Sequence, residues 1–345
     1  MSLLFLMFLA CRPGESKGAA TPATIGESNP TLESGTHADD SGTTPESAPP
    51  TPVPTWVTLP DVPVPVQEVA VEALDGLVYV VGGLGGSTSG LTTVWVWDGV
   101  GWAAGVPLPG AIHHANLVAF EGALYVLGAM VTGFDPVNVV WRWRPGDAAW
   151  EELAPVADGL FRGASAVGVM GDTIWVIGGS AFGSVATAFS WRPSDQVSTP
   201  LPDLPLPLDH LGGEVVDGVF YVLGGRSFGV TAVQAGVWAL RPGDTSWSAR
   251  AEVPTARGGV ATGVLDGKIY VIGGEGNPDV ESGIFPDVER YDPVADTWES
   301  LESMPTPRHG TQGAVVGNTL IVPGGATVEG VGAVTTVEAL VLAAQ

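Results

Sequence analysis

Short runs in which apolar and polar residues alternate fill most of this chain, and the most apolar of them recur at a near-constant interval. Each is a β-branched or aromatic run ending in a glycine pair. The six are LVYVVGG (77–83), ALYVLGA (123–129, with Ala129 as the second residue of the pair), TIWVIGG (173–179), VFYVLGG (219–225), KIYVIGG (268–274) and TLIVPGG (319–325). Counted from the first glycine, the steps are 46, 50, 46, 49 and 51 residues. Alternation of period two predicts strands throughout. A fixed period with four strand-like segments in each unit predicts one supersecondary motif repeated around an axis.

The fifth unit shows the plan. VATGVLDG (260–267) reads as strand a, KIYVIGG as strand b, DVERYDP (287–293) as strand c and DTWESLESMP (296–305) as strand d. Tight a–b turns needing positive φ are expected at Asp75-Gly76, Glu121-Gly122, Asp217-Gly218 and Asp266-Gly267, with inverted pairs at Gly171-Asp172 and Gly317-Asn318. Strand d carries a tryptophan seven residues before a proline in Trp102/Pro109, Trp247/Pro254 and Trp298/Pro305; Trp150 has a shorter spacing, and Ser198 stands there in the third unit. The sixth unit runs out after VTTVEALVL (334–342). Its strand d is expected from the other end of the chain, where Trp56 precedes Pro63 by seven residues. The predicted fold is all-β, a six-bladed propeller closed by its N-terminal strand, which removes an open edge.

The glycine pair after strand b, the aromatic in strand c and the tryptophan in strand d resemble Kelch repeats, as does a segment such as MPTPRHGTQGAVVGNTLIVPGG (304–325). The resemblance covers residues 56–345 and implies a Kelch propeller. It does not imply one function, because this architecture hosts many.

Composition adds a boundary and a charge. Residues 1–11, MSLLFLMFLAC, resemble a bacterial lipoprotein signal, with Phe8-Leu9-Ala10-Cys11 in the place of the lipobox. That resemblance implies export and lipidation at Cys11, with the mature chain at the outer membrane, cell surface or periplasm. Residues 12–55 are rich in Ser, Thr, Pro and Gly and read as a disordered tether. The net charge is −24, and residues 56–345 hold 31 acidic against 11 basic residues. Such a domain repels nucleic acid and anionic membrane at long range, so contact with a membrane is expected only through Cys11. With one cysteine no internal disulfide is possible.

Candidate chemistry gathers at the starts of the a strands, the innermost strands of a propeller. Sixteen and fourteen residues before each first glycine stand Val66/Glu68, Ile112/His114, Arg162/Ala164, Leu208/His210, Arg257/Gly259 and Arg308/Gly310. Equal parity predicts that both members of a pair point the same way. Arg226 and Glu275 follow their glycine pairs and are expected at the same mouth, as is His309. The candidate ligand-binding set is Glu68, His114, Arg162, His210, Arg226, Arg257, Glu275, Arg308 and His309. An arginine cluster in so acidic a domain suits an anionic group, although the same arginines could tie blades together through backbone carbonyls. No zinc-type histidine spacing is present and no metal or other cofactor is expected; His113 and His114, as strand neighbours, should face opposite ways. The loop 275–286 holds Glu275, Asp279 and Glu281 and reads as solvated.

The expected function is a binding or interaction module taking an anionic or neutral glycan, or a protein, at the channel mouth. The alternative is a sugar enzyme. The resemblance extends to Kelch-type sialic acid mutarotases, which implies that Arg257 and Arg308 grip a carboxylate while Glu68 or a histidine moves a proton. Galactose oxidase-like copper chemistry is not expected, since that resemblance requires a Tyr–Cys crosslink and Cys11 lies outside the propeller.

Overall fold

The computed structural model describes residues 53–157 and 159–343. The lipobox-like segment, Cys11 and the tether up to residue 52 lie outside them. Among the described residues the regular structure is entirely strand: six four-stranded antiparallel sheets, each built from strands consecutive in sequence except the last. The a strands are Ala70–Leu74, Leu117–Phe120, Ala166–Met170, Gly212–Val216, Ala261–Leu265 and Ala314–Val316. The sixth sheet takes its fourth strand, Thr55–Leu59, from the start of the propeller. It pairs with Val337–Val341 along its whole length, Trp56 opposite Leu340. The ring is closed as its tryptophan spacing predicts.

Three repeat signatures have physical causes visible in the structure. The first glycine of each pair abuts the next blade: a Cβ on Gly82, Gly178 or Gly224 would lie 2.8 Å from the carbonyl oxygen of Ile112, Leu208 or Arg257. The second glycine donates its N–H to that same carbonyl, as from Gly83 to Ile112 at 2.9 Å. In blade 2, where Ala129 breaks the pair, Asn116 replaces this bond by donating Nδ2 to the Arg162 carbonyl at 2.8 Å. Each strand-d tryptophan also ties its blade to the preceding one. Its indole N–H reaches a backbone carbonyl there: Trp102 to Pro60, Trp150 to Val106, Trp247 to Pro202, Trp298 to Ala251 and Trp56 to Glu302, at 2.8–3.3 Å. Blade 3 has Ser198 at that position, and Gln196 makes the junction instead by accepting from the Ala154 N–H at 2.9 Å. The a–b turn residues Asp75 and Gly76 have φ of 52° and 79°, as the turn requires. Between blades lie clusters of buried Val, Ile, Leu, Tyr and Trp, so the core is a ring of wedges around the axis.

Candidate functional site

At the start of every a strand the residue fourteen before the first glycine is left-handed. Glu68, His114, Ala164, His210, Gly259 and Gly310 have φ of 49°, 51°, 53°, 52°, 66° and 63°. Each donates its N–H to the carbonyl of its equivalent in the preceding blade, from Glu68 to Gly310 round to Gly310 to Gly259, at 2.5–3.1 Å. Six backbones thus form a closed hydrogen-bonded ring about the axis. Space at this ring shrinks to about 50 Å3. Beyond it the channel between the a strands widens to about 460 Å3.

The left-handed turn overturns the parity expectation. Alternation of side chains holds only along an extended backbone, so the two members of each pair part company. Glu68, His114 and His210 gather at the axis, while Arg162, Arg257 and Arg308 turn outward into their own blades, each 1% exposed. Arg257 donates Nε to the Gly273 carbonyl (2.7 Å), Nη1 to the Thr255 carbonyl (2.8 Å) and to Glu289, and Nη2 to the Val271 carbonyl (2.9 Å). Arg308 repeats this with Gly324, Thr306, Glu338 and Val322. Arg162 bonds Leu160, Gly178 and Thr187 and lies 5.3 Å from the Phe189 ring centroid. Burial without a close carboxylate lowers its pKa to about 10. Phe189, Glu289 and Glu338 occupy one register position of strand c, opposite Val176, Val271 and Val322. In the other blades that position is Trp95, Trp141 or Trp238, and the arginine is replaced by Val66, Ile112 or Leu208. The three arginines are therefore blade ties.

The remaining candidates form one network. His114 Nε2 lies 3.0 Å from Glu68 Oε2 and 2.9 Å from His210 Nε2. His210 Nδ1 contacts Asp209 Oδ1 at 2.6 Å. Arg226 donates Nε to Asp209 at 2.9 Å and Nη1 to Glu275, and its Nη2 lies 3.1 Å from His210 Nε2. His309 Nδ1 stands 3.2 Å from Glu275 Oε2 and 3.8 Å from Glu68 Oε1. Arg226 and Glu275 reach the mouth because the residue after each glycine pair bridges back to the a-strand start, Arg226 to Asp209 and Glu275 to Gly258. His113 also joins. Contrary to expectation, its Nδ1 meets Nδ1 of His114, because positive φ at His114 swings the neighbouring rings together.

Electrostatics follow from burial. Desolvation pulls His210 down to about 4, helped by Arg226 and opposed by Asp209. Desolvation likewise brings His113 to about 4, with His114 adding to it. Burial acts to raise Glu68, but the imidazoles of His114, His210 and His309 outweigh it and hold the carboxyl well below its usual range. Burial raises Glu275 in spite of His309 and Arg226. Three carboxylates face one guanidinium here, so the mouth is not a basic cluster.

Sequence reasoning overlooked two features. Phe134, Phe182 and Phe228, on the b–c loops of blades 2, 3 and 4, are 47%, 78% and 70% exposed with φ of 62°, 64° and 60°. They rim a cleft of about 380 Å3 whose floor includes Asp209, His210 and Arg226. Phe134 also packs edge-on against His113, with centroids 4.9 Å apart. The signal was available, since Phe182-Gly183 and Phe228-Gly229 stand at one spacing after their glycine pairs. The second feature is in the channel, which is lined by Glu72 and Glu214 at equivalent positions of blades 1 and 4. Burial raises both carboxyls to about 7.

Comparison with known proteins agrees with this geometry. The Kelch motif family model matches residues 67–98 and 256–305. The Kelch-like protein terF of Aspergillus terreus is 30% identical over 305 residues, covering 81% of this chain and 66% of that protein. This chain belongs to the Kelch-repeat propellers. Kelch-like protein 34 of Homo sapiens is 31% identical over 190 residues, 53% of this chain and 28% of that protein. The chain thus spans about two thirds of the first relative and about a quarter of the second. The solved structure of YjhT superposes with a TM-score of 0.68 at 18% identity, covering 81% of this chain and 95% of that one, and shows a shared fold.

Proposed function

We propose that this Kelch propeller is a binding module that holds a neutral glycan on its b–c loop face, in the cleft rimmed by Phe134, Phe182 and Phe228. The three exposed phenylalanines carry the reading. A bulky residue held at positive φ is strained, and an exposed aromatic surface leaves apolar area in water. Three consecutive blades keep both costs on their b–c loops, Phe182 and Phe228 at the same spacing after their glycine pairs. Aromatic faces suit the C–H faces of a sugar ring, and Asp209, His210 and Arg226 beneath supply donors and acceptors for hydroxyls. A carboxylated ligand fits less well than the sequence suggests, because Arg257 and Arg308 have their donors committed within their blades.

A glycan array probed with the full chain tests this. Binding should fall roughly fivefold to a hundred-and-fiftyfold in Phe182→Ala/Phe228→Ala, if each ring contributes about 0.5–1.5 kcal/mol, with the melting temperature unchanged. Binding that ignores both substitutions contradicts it, and capture of a protein instead would move the same cleft to the protein-ligand reading. The second reading, a sugar epimerase or mutarotase, is favoured by the Asp209–His210 pair at 2.6 Å and Glu68–His114 at 3.0 Å; it requires faster anomer exchange by NMR with an array hit. We further propose that the chain is exported and anchored through a lipid on Cys11.

A further inference from the structure

We infer that Glu68, His114 and His210 form a binding site for a divalent first-row transition ion of the zinc type at the propeller axis. The first observation is a convergence of lone pairs. His113 Nε2 faces the Val131 carbonyl at 2.9 Å and must donate to it, which leaves His113 Nδ1 as an acceptor. The proton shared with that atom therefore sits on His114 Nδ1, and His114 Nε2 offers its lone pair to an ion once it gives up any proton it holds toward Glu68. His210 Nδ1 donates to Asp209, so its Nε2 carries a lone pair too. Both nitrogens and Glu68 Oε2 meet at 2.9, 3.0 and 3.9 Å. In the metal-free form the Arg226 guanidinium covers His210 Nε2 at 3.1 Å and His114 bridges to Glu68, and all three ligand atoms lie within the reach of one ion.

Geometry favours a metal ion in that place. Ligands of a tetrahedral zinc, bound at about 2.0–2.2 Å, stand about 3.3 Å apart, and the three separations straddle that value. Imidazole with one carboxylate suits first-row divalent ions. The ligands sit on three blades, fixed by the ring of backbone hydrogen bonds, so the site is preorganised. Asp209 behind His210 reproduces the carboxylate–histidine–metal arrangement that orients a ligating ring.

An independent observation is His309. It is 1% exposed, its Nε2 faces the Val328 carbonyl at 3.0 Å, and its Nδ1 has no hydrogen-bond partner while pointing at Glu68 Oε1 and Glu275 Oε2. It stands nearer Glu275, at 3.2 Å, than Glu68, at 3.8 Å, so it ion-pairs with Glu275 and leaves Glu68 Oε2 to the ion. Arg226 Nη2 has to leave His210 Nε2 when the ion binds, but the guanidinium keeps Asp209 and Glu275. Three protein ligands leave a fourth position for water or a ligand group.

The test uses the full chain after chelator dialysis, titrated with Zn2+ against a chromophoric chelator, and with Co2+ to read coordination from its visible bands. One ion per chain and a four-coordinate Co2+ spectrum are expected. His114→Asn and His210→Asn, chosen because asparagine tolerates positive φ, should each weaken Zn2+ binding roughly a hundredfold. Asp209→Asn should weaken it roughly ten- to a hundredfold. If the asparagine variants do not fold, Glu68→Gln carries the test and must cost at least about tenfold. Absence of one-to-one Zn2+ binding by the parent overturns the inference, as does one-to-one binding that these substitutions leave within about threefold.

Discussion

Replacing Arg308 by leucine should destabilise the propeller without touching ligand binding. The side chain is sealed within blade 6, and its partners are Glu338 at 2.6 Å and the carbonyls of Gly324, Thr306 and Val322 at 2.7–3.0 Å. Leucine leaves Glu338 buried with only Thr306 as partner, at 2.8 Å. Breaking a buried pair from one side costs about 3–5 kcal/mol. Unfolding entropy of about 2.1 cal/mol/K per residue gives the described propeller about 0.6 kcal/mol/K, so the melting temperature should fall by roughly 5–8 °C. Blade 4 supplies the control, since Leu208 and Trp238 share a core cluster at the equivalent positions. Arg308→Leu with Glu338→Trp should therefore recover at least about half of the loss. Arg162→Leu, which strands no carboxylate, should cost less, roughly 1–3 kcal/mol. Differential scanning calorimetry reads all four proteins. A single variant melting within about 2 °C of the parent would refute the blade-tie role of Arg308. A double variant less stable than the single would refute the equivalence of the two pairings.

Two further outcomes follow from other parts of the chain. Folding raises the Glu72 and Glu214 carboxyls from 4.5 to about 7, so the folded state holds their protons more tightly. The stability this contributes is fully present below pH 4.5 and is lost as pH rises through about 7, with a ceiling of about 3 kcal/mol per group. Glu72→Gln/Glu214→Gln should raise the melting temperature at pH 8 and flatten its fall between pH 5 and 8; an unaltered slope contradicts the assignment. Cys11→Ala should move the protein from the membrane to the soluble fraction when it is expressed from its natural start codon, and unchanged partition rules out lipid attachment there.

The parts legible in the sequence are those fixed by local backbone demands. The glycine pairs, the a–b turns and the strand-d tryptophans each answer one short-range constraint, so spacing alone revealed six blades and the closing strand. The mouth was half legible. Glu68, His114, His210, Arg226, Glu275 and His309 do come together, because a rotational repeat brings equivalent positions to one axis. The arginines were misplaced because a strand rule was applied across a left-handed residue. Their true partners were visible in strand c, where Glu289, Glu338 and Phe189 replace the tryptophans of the other blades. Asp209 and His113 escaped because each is drawn in by the backbone of a neighbour. The histidine–carboxylate cluster shows only as one repeat position, fourteen residues before the first glycine, because its members stand on blades 1, 2 and 4 rather than at a short metal-ligand spacing. Phe134, Phe182 and Phe228 lie on b–c loops, where no alternation of strand positions marks an exposed aromatic.

The binding face is tested most directly by a crystal structure of the full chain with a glycan identified by the array. The sugar is expected between Phe134, Phe182 and Phe228, with hydroxyls toward Asp209, His210 and Arg226. Density in the channel between Glu72 and Glu214, or on the face bearing the c–d turns, would contradict the proposed site.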